Sequence, residues 1–563
     1  MTTFALNLAG SGWTTATTAA DYRFALKGQA YLDQTPVKAE TLATRLSDAL
    51  RPEQLTALLP RLNGFYALVE QSAGQVRAAV DHIRSRPLFY GLANEQFYLS
   101  DAAEWVRQQV GDREMDPVAR EEFQLAGYVT GADTLFPSVK QLQAGECLIA
   151  RQTDAGPVVE THRYYRFLHQ EPADSNEPAL REELDRVTVR VMRRLIDNAN
   201  GREIVIPLSG GYDSRLIATM LKRLGYDNVL TFTYGVPGNK ESAYSKRVAD
   251  ALGLRWHFVE YSEALWREAW RTAERWEYQK WASGWTSIAH VQDWLAVQKL
   301  KQSGMVEAEA IFVPGHSGDF VAGSHIPKEA FERGAFDLQD IDEAILRKHY
   351  SLAPKKLFSI SPAQWHTRIR ERTERTQCTQ PWEFADGFEK WDWQERQAKF
   401  ICNSVRVYEF YGYDWWMPLW DLEFMRFWEG VPLRLRKGRE WYLEQVATFF
   451  HLQSGYEPFA RLGNANQDAP LHDNFRSFLV AFKLLDYARR IRGLGRNFGL
   501  FRGISLLDQS HFLLRGTNPA IVNELGRKGY SVIGAYSYLS LNELERSLVP
   551  HPHVSDLTKL QTK

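Results

Sequence analysis

The chain has 563 residues, of which 68 are lysine or arginine and 69 are aspartate or glutamate, so its net charge is −1. This balance removes the general electrostatic argument for nucleic-acid binding, and the length predicts two or more domains with sizeable cores. The three cysteines lie far apart and form neither a metal-ligand spacing nor a disulfide framework, which predicts a reducing compartment. No basic region with an apolar run opens the sequence, and no run of about 18 apolar residues follows. We therefore expect a cytoplasmic protein without a transmembrane segment.

Residues 1–165 show short β-like runs separated by turns, together with the amphipathic stretches Glu40–Leu50 and Pro117–Ala126. The β-like runs are Gly64–Glu70, Val76–Asp81, Leu88–Leu92, Gln96–Ser100 and Glu146–Ala150. This pattern predicts an α+β domain built on sheets.

A polar linker, His169–Glu177, precedes a second predicted domain at residues 178–545. Its first stretch, Pro178–Ala199, repeats apolar residues at helical spacing, and strands then alternate with helices. The predicted strands are Glu203–Leu208, Asn228–Tyr234, Trp256–Tyr261 and Ala310–Pro314. Such alternation predicts an α/β doubly wound parallel sheet that binds ligands at the carboxyl ends of its strands. From about Pro362 the pattern becomes mostly helical.

The first of these strands leads into the loop Ser209-Gly210-Gly211-Tyr212-Asp213-Ser214. Two glycines allow the backbone to approach an anion, while hydroxyls, N–H groups and the start of the next helix can bind phosphate. Asp213 would repel phosphate unless a cation lay between them, which indicates Mg²⁺. The loop lacks the lysine of the common P-loop. It resembles the SGGxDS loop of ATP pyrophosphatases, which split ATP into AMP and pyrophosphate.

A second loop, within Ala310–Gly323, repeats the order of strand, small-residue turn and acidic group. In a doubly wound sheet this turn would face the first loop, so we expect Asp213 and Asp319 to hold one magnesium-pyrophosphate unit. The strand end Thr231–Gly235 is expected to line the binding position of the adenine. The alternative for the second loop is a simple turn in which Asp319 caps the next helix.

Taken together, the motifs resemble the class B asparagine synthetase family over nearly the whole chain. In the first domain the similar stretches are Leu62–Ala67, Asp81–Tyr90, Thr134–Pro137 and Leu142–Glu146. In the second they are Ser209–Ser214, Thr231–Gly235, Pro314–Gly323, Arg406, Pro418–Asp421 and Gly438–Glu440. The resemblance implies a glutaminase-like (Ntn-type) sandwich followed by an ATP-pyrophosphatase domain. Such a domain converts a carboxylate into an acyl-adenylate, which a nitrogen nucleophile then attacks.

The resemblance also implies roles for individual residues. For binding ATP they are Leu208, Ser209, Gly210, Gly211, Asp213, Ser214, Tyr234, Pro314 and Gly315. Asp213 and Asp319 are implied as ligands of Mg²⁺, and His316, Arg439 and Arg406 as catalytic residues.

The first domain departs from the family pattern. Family glutaminases use the thiol of an N-terminal cysteine, whereas residue 2 here is Thr2 and the first cysteine is Cys147. The segments that hold glutamine are also missing from the first 80 residues. We therefore predict a degenerate, structural or docking domain without glutaminase activity; a nucleophilic Thr2 is the alternative. The nitrogen would then come from free ammonia, a separate amidotransferase or an amine on the substrate.

The second domain departs from the family pattern on the side where the nitrogen nucleophile is expected to react. His316 stands where the family has an acid thought to deprotonate the nucleophile, Phe320 replaces a second acid, and Trp441 replaces a lysine. His316 is a candidate general base, although a histidine that only forms a hydrogen bond fits equally. Candidates for the missing positive charge are Lys437, Arg439 and Arg406.

The sequence thus predicts an ATP-dependent, AMP-forming amide (C–N) ligase acting on a small carboxylate, for example aspartate or a sugar uronic acid. The alternatives are an asparagine synthase proper that uses ammonia, a β-lactam or lasso-type intramolecular cyclase, and a non-catalytic nucleotide-binding assembly protein. The carboxylate, the amine and the oligomeric state are left open, with a homodimer as one option. The basic segment Lys483–Arg502 is either a solvated face or a contact for a membrane or an anionic substrate.

Overall fold

A computed structural model describes residues 4–17, 23–47, 55, 57–357, 359–455 and 519–548. Thr2 and the basic segment Lys483–Arg502 lie outside these ranges. The strands of the first domain are β1 Phe4–Asn7, β2 Trp13–Thr17, β3 Arg23–Leu32, β4 Thr35–Val37, β5 Leu62–Ser72, β6 Gln75–Val80, β7 Phe89–Ala93, β8 Gln96–Ser100, β9 Val139–Gln141, β10 Glu146–Thr153 and β11 Gly156–Arg163. They form a larger sheet in the order β11-β10-β6-β5-β3-β2, with β4 beside β3, and a smaller sheet in the order β1-β8-β7-β9.

The two sheets are layered, with a helix on each outer side. Helix α1 (Ala39–Ser47) packs on β2 and β3, and helix α2 (Ala103–Val110) packs on β7, β8 and β9. Side chains alternate along β5 as strand geometry requires. Leu68 belongs to the apolar cluster beneath α1, whereas Val69 joins the cluster between the sheets. The predicted sandwich is therefore confirmed.

The predicted strands of this domain occur as β5, β6, β7, β8 and β10; β8 has the predicted bounds, and the other four have shifted ends. The sequence did not predict β3, because the polar run Lys27-Gly28-Gln29 interrupts its apolar alternation. The last strand ends at Arg163, and the first helix of the second domain begins at Glu177.

The second domain contains a parallel sheet in the order β14-β13-β12-β15-β16. Its strands are β12 Ile204–Pro207, β13 Val229–Gly235, β14 Arg255–Glu260, β15 Ile311–Phe312 and β16 Asp414–Trp415. The predicted doubly wound sheet is confirmed. Only β16 was not predicted, because a two-residue strand far along the chain carries no periodic signal. The strand order reverses between β12 and β15, and ligands bind at such switch points.

The remaining helices comprise α3, which belongs to the first domain, and the helices that surround the parallel sheet and form the later part of the chain. They are α3 Pro117–Ala126, α4 Glu177–Ala199, α5 Tyr212–Arg223, α6 Lys240–Leu252, α7 Glu263–Trp270, α8 Ala273–Ser283, α9 Trp294–Gln302, α10 Gly318–Val321, α11 Glu329–Glu332, α12 Leu338–Lys348, α13 Pro362–Thr373, α14 Pro381–Asp392, α15 Arg406–Phe410, α16 Leu422–Glu429, α17 Leu433–Arg436, α18 Glu440–Ser454, α19 Pro519–Lys528 and α20 Val532–Arg546. Short 3₁₀ segments lie at Leu59–Arg61, Lys355–Leu357, Cys402–Val405, Pro418–Trp420 and Lys437–Arg439, and a π-helix spans Trp393–Ile401. Over the described ranges, no helix combines the length and the apolar character needed to cross a membrane.

Polar contacts join the two domains. Asn63 donates from Nδ2 to Asp421 Oδ1 at 2.9 Å, and His82 Nε2 lies 2.5 Å from the carbonyl oxygen of Trp420. Within the second domain, Arg194 on α4 holds the same Asp421 carboxylate with two hydrogen bonds. Residues of the motifs seen in both domains therefore meet at one interface.

Candidate active site

Two loops leave the carboxyl ends of β12 and β15 and touch each other at the switch point. A Cβ atom on Gly315 would lie 2.6 Å from the backbone nitrogen of Ser214. A Cβ atom on Gly318 would lie 2.7 Å from both Asp213 Oδ1 and the Tyr442 hydroxyl. Because any larger residue would push the loops apart, glycine at these two positions allows the contact.

The first loop leaves the start of α5 open to a ligand. Within the loop, the Ser209 N–H donates to Ser214 Oγ at 3.3 Å and the Gly211 N–H donates to Ser209 Oγ at 3.1 Å. Arg215 fixes the carbonyl of Gly210 with a 3.0 Å hydrogen bond. Gly211 is the N-cap residue of α5, and no side chain caps this helix. The N–H groups of the first helical turn can therefore bind an anion.

Asp213 and Asp319 form an acidic pair where the loops meet. Asp213 accepts a hydrogen bond from the Asp319 N–H at 3.3 Å and another from the Tyr442 hydroxyl at 2.8 Å. Burial and the neighbouring Asp319 carboxylate raise the pKa of Asp213 to about 7. Burial also acts to raise the pKa of Asp319, but the hydrogen bond and charge of His325 outweigh it and hold that pKa at about 2. Asp213 is thus costly to ionise in this setting unless a cation joins the pair.

The donor set of this pair fits Mg²⁺. Two carboxylates supply the hard oxygen ligands that this cation prefers, and Mg²⁺ commonly takes its other ligands from water and substrate phosphates. In the described part of the chain, no group of three or more His, Cys, Asp or Glu side chains could hold a metal by itself. The residues present would therefore hold Mg²⁺ jointly with a nucleotide.

His316 lies in the second loop and is held by a residue from beyond the π-helix. Its Nε2 lies 2.7 Å from the hydroxyl oxygen of Ser404, and its ring centroid is 6.3 Å from that of His290. Burial and the charge of His290 lower the pKa of His316 to about 4. The imidazole is therefore neutral at pH 7 and free to accept a proton, although it is a weaker base than an exposed histidine.

The predicted arginines occupy different places. Arg439 precedes α18, and its charge lowers the pKa values of both Asp213 and Asp319. Its guanidinium makes no hydrogen bond or ion pair with any described residue. Arg406 instead donates to the carbonyl oxygen of Ser85 and pairs with Glu409 at 2.5 Å. It lines a cavity of about 770 Å³ between the domains, so the structure does not bring it to the two loops.

The remaining predicted residues line or support the switch point. Leu208 is buried, and its N–H donates to the carbonyl of Phe232 at 2.8 Å. Tyr234 lies near the end of β13 and stacks on Tyr261, with ring centroids 5.1 Å apart. Pro314 is buried at the base of the second loop.

Two residues that replace charged family positions belong to the core. Phe320 packs against Phe167 and Trp420, and Trp441 packs against Trp428. Both side chains are therefore used in packing and supply no charge to the site.

Three further side chains contact the site, and the sequence did not predict them. Tyr442 binds Asp213, His325 lies 3.5 Å from Asp319, and Ser404 binds His316. The sequence signal for Tyr442 is its position two residues after the Gly438–Glu440 motif. No sequence pattern indicates His325 or Ser404.

Known families and structures are similar to parts of the chain. A model of the asparagine synthase family matches residues 183–443, and a model of the glutamine amidotransferase domain matches residues 49–165. No curated protein matches the chain significantly.

Two solved structures are similar at low sequence identity. Glutamine phosphoribosylpyrophosphate (PRPP) amidotransferase from B. subtilis, complexed with ADP and GMP, is 14% identical over 54% of this chain and 63% of its own, with a TM-score of 0.19. A structure described as the allosteric regulatory enzyme of purine biosynthesis is 15% identical over 54% of this chain and 58% of its own, with a TM-score of 0.18. The chain thus spans less than two thirds of either enzyme, and scores this low carry no weight for function.

The two family matches follow each other along the chain in the order of the sandwich and the parallel sheet. The protein belongs to the class B asparagine synthetase-type family, with an N-terminal Ntn-type glutamine amidotransferase fold followed by an asparagine synthase domain.

Proposed function

We propose that this protein is an ATP-dependent, AMP-forming amide (C–N) ligase that activates a small carboxylate as an acyl-adenylate for attack by ammonia or an amine. The observation that carries the proposal is the contact of the two loops at the switch point. That contact places Asp213 beside Asp319 and next to the uncapped start of α5. The asparagine synthase match supports the same reaction class.

The first loop would hold the pyrophosphate part of ATP. Its N–H groups and hydroxyls point to this role because the helix start has no cap of its own. The residues involved are Ser209, Gly210, Gly211 and Ser214. Those proposed to line the AMP part are Leu208, Tyr234, Pro314 and Gly315.

Asp213 and Asp319 would hold Mg²⁺, which when bound neutralises phosphate charge. In the first step, a substrate carboxylate oxygen attacks the α-phosphorus of ATP, and the bond to pyrophosphate breaks with its electron pair leaving on pyrophosphate. Arg439 lies near enough to change the pKa values of both aspartates, so its guanidinium is the proposed positive charge for the reacting carboxylate or pyrophosphate.

In the second step, the nitrogen nucleophile attacks the acyl carbon and AMP leaves with the electron pair of the broken C–O bond. The nitrogen must lose a proton, and His316 is the proposed acceptor because its ring is neutral. The 2.7 Å contact with Ser404 fixes the orientation of the ring.

We propose that this chain does not obtain the nitrogen by hydrolysing glutamine. All three cysteines are buried. Burial, together with the charge of Glu146, raises the pKa of Cys147 to about 12, and burial raises that of Cys402 well above its ordinary value. Neither thiol provides a thiolate at pH 7. Free ammonia, a separate amidotransferase or an amine on the substrate remains as the source.

A carboxylate-dependent ATP–pyrophosphate exchange screen tests the proposal. Purified protein with Mg-ATP and labelled pyrophosphate would be offered aspartate, uronic acids and other carboxylates, with Asp213→Asn as the matched control. We expect exchange with at least one carboxylate in the wild type and loss of that exchange in the variant. Nucleotide binding without exchange for any carboxylate would instead identify a non-catalytic nucleotide-binding protein.

A further inference from the structure

A chain of buried polar side chains stands behind Asp319. Asp319 Oδ2 lies 3.5 Å from His325 Nε2, and His325 Nδ1 lies 2.6 Å from Asp392 Oδ2. The side-chain amide of Gln397 lies 3.2 Å from both His325 Nδ1 and Asp392 Oδ1. Gln397 also accepts a 2.9 Å hydrogen bond from the hydroxyl of Ser317. This series of buried side chains therefore begins and ends on the second loop.

The side chains of this series come from separate and well-packed elements. Asp392 is the last residue of α14 and is 0% exposed, and Gln397 lies in the π-helix and is 1% exposed. His325 follows α10, where its ring packs edge-on against Phe320 at 5.8 Å. Rigid groups from the helical part of the domain thus reach the loop that carries Asp319.

Contacts to both oxygens of the Asp319 carboxylate restrict its orientation. Its Oδ1 accepts a hydrogen bond from the N–H of Phe320 at 2.9 Å, and its Oδ2 faces His325. With one oxygen fixed by backbone and the other by a ring that Asp392 holds, rotation of the carboxylate is restricted. A carboxylate whose rotation is restricted loses less conformational freedom when it binds a cation.

We propose that His325 is a positioning residue that orients Asp319 for Mg-nucleotide binding. Asp392 fixes the ring, and Gln397, which donates to Asp392 and accepts from Ser317, ties the Asp392 carboxylate to the second loop. This inference rests on the function proposed above. The ligand it concerns is a divalent cation shared with nucleotide phosphates.

Two variants of His325 separate its two contacts. In His325→Asn, the side-chain amide can replace Nδ1 toward Asp392 but cannot reach Asp319. In His325→Gln, the amide can replace Nε2 toward Asp319. The matched control is His349→Asn, because His349 Nε2 lies 4.0 Å from Asp392 and no described contact joins it to the second loop.

The readout is the affinity of Mn²⁺, measured by electron paramagnetic resonance with a non-hydrolysable ATP analogue, together with the melting temperature and the exchange rate at saturating metal. We expect His325→Asn to weaken Mn²⁺ binding about 10–100-fold with an unchanged melting temperature. His325→Gln should recover part of the affinity, and His349→Asn should bind Mn²⁺ as the wild type does.

Wild-type Mn²⁺ affinity in His325→Asn would overturn the positioning role while leaving the proposed function standing. Equal losses in His325→Asn and His349→Asn, with lowered melting temperatures, would also overturn it. A wild-type protein that binds no metal-nucleotide would overturn the proposed function as well, so the two failures are distinguishable.

Discussion

The two domains carry family motifs but use the motif residues in opposite ways. In the first domain, the carboxylate of Asp81 accepts hydrogen bonds from the N–H groups of Tyr66, Ile83 and Ser85 and from the Ser85 hydroxyl. The carboxylate of Asp81 is therefore satisfied by the protein itself. In the second domain, Asp213 faces another carboxylate beside a helix start that has no cap.

The difference shows which polar groups hold the fold and which are available for a ligand. Buried groups that have partners stabilise a structure, whereas like charges held together by the fold raise its free energy and mark functional sites. By this criterion we propose that Asp81 serves the folding of the first domain, and that Asp213 and Asp319 serve the chemistry of the second.

The largest effect is expected at the acidic pair. Asp213→Asn and Asp319→Asn should each lower ATP–pyrophosphate exchange by about 10²–10⁴-fold, because the charge of the metal-bound phosphates loses several kcal/mol of stabilisation. The matched variant in the first domain is Asp81→Asn, which should lower the melting temperature yet leave exchange per folded molecule unchanged. Full exchange activity in both variants would contradict the assignment of Asp213 and Asp319 as the residues that hold Mg²⁺.

A smaller and more selective effect is expected at His316. His316→Ala should slow amide formation by about 10²–10³-fold while exchange stays near the wild-type rate, because proton transfer belongs to the second step only. Ser404→Ala should reduce amide formation less, since the ring would keep its nitrogen but lose its orientation. If exchange and amide formation fall equally in His316→Ala, the residue shapes the nucleotide loop and is not a base.

The pKa of Asp213 predicts how stability depends on pH in protein free of metal and nucleotide. Its folded-state pKa of about 7 lies above the ordinary value of 3.8, so the folded protein binds this proton more tightly than the unfolded chain. The free energy of unfolding should therefore fall as pH rises from about 4 to about 7. Asp213→Asn should raise the melting temperature at pH 8 and have less effect at pH 5.

Thermal scans in a chelator would measure this dependence, with Asp81→Asn as the comparison variant. A lower melting temperature for Asp213→Asn at pH 8 would show that the carboxylate stabilises the protein, contrary to the prediction. Saturating Mg-ATP should remove the advantage of the variant, because only the wild type gains the binding free energy.

The smallest effect is expected from substituting the hydroxyl and thiol residues of the first domain that were considered as nucleophiles. Thr2→Ala and Cys147→Ser should leave ammonium-dependent product formation unchanged, and the wild type should release no glutamate from glutamine. Glutamate measured in stoichiometric amounts, and lost in Thr2→Ala, would show that the first domain is a working glutaminase.

Much of the site could be read from local sequence. The alternation of strands and helices predicted the parallel sheet, and the small-residue turns after β12 and β15 predicted which loops would meet, because parallel strands end at one edge. The glycines and the two aspartates were part of these local patterns. Phe320 and Trp441 were recognised as departures, although only the structure shows that both pack in the core.

Other features depended on contacts between distant parts of the chain. Asp213 and Tyr442 are 229 positions apart, and Ser404 and His316 are 88 apart, so no local pattern joins them. Arg406 looked like a site residue because it stands in a motif, yet packing turns its guanidinium to Ser85 at the domain interface. The sequence alone determined the kinds of loop and their order, since these follow from backbone chemistry and strand direction. Tertiary structure decided which side chains surround the acidic pair, because only packing brings distant helices to one point.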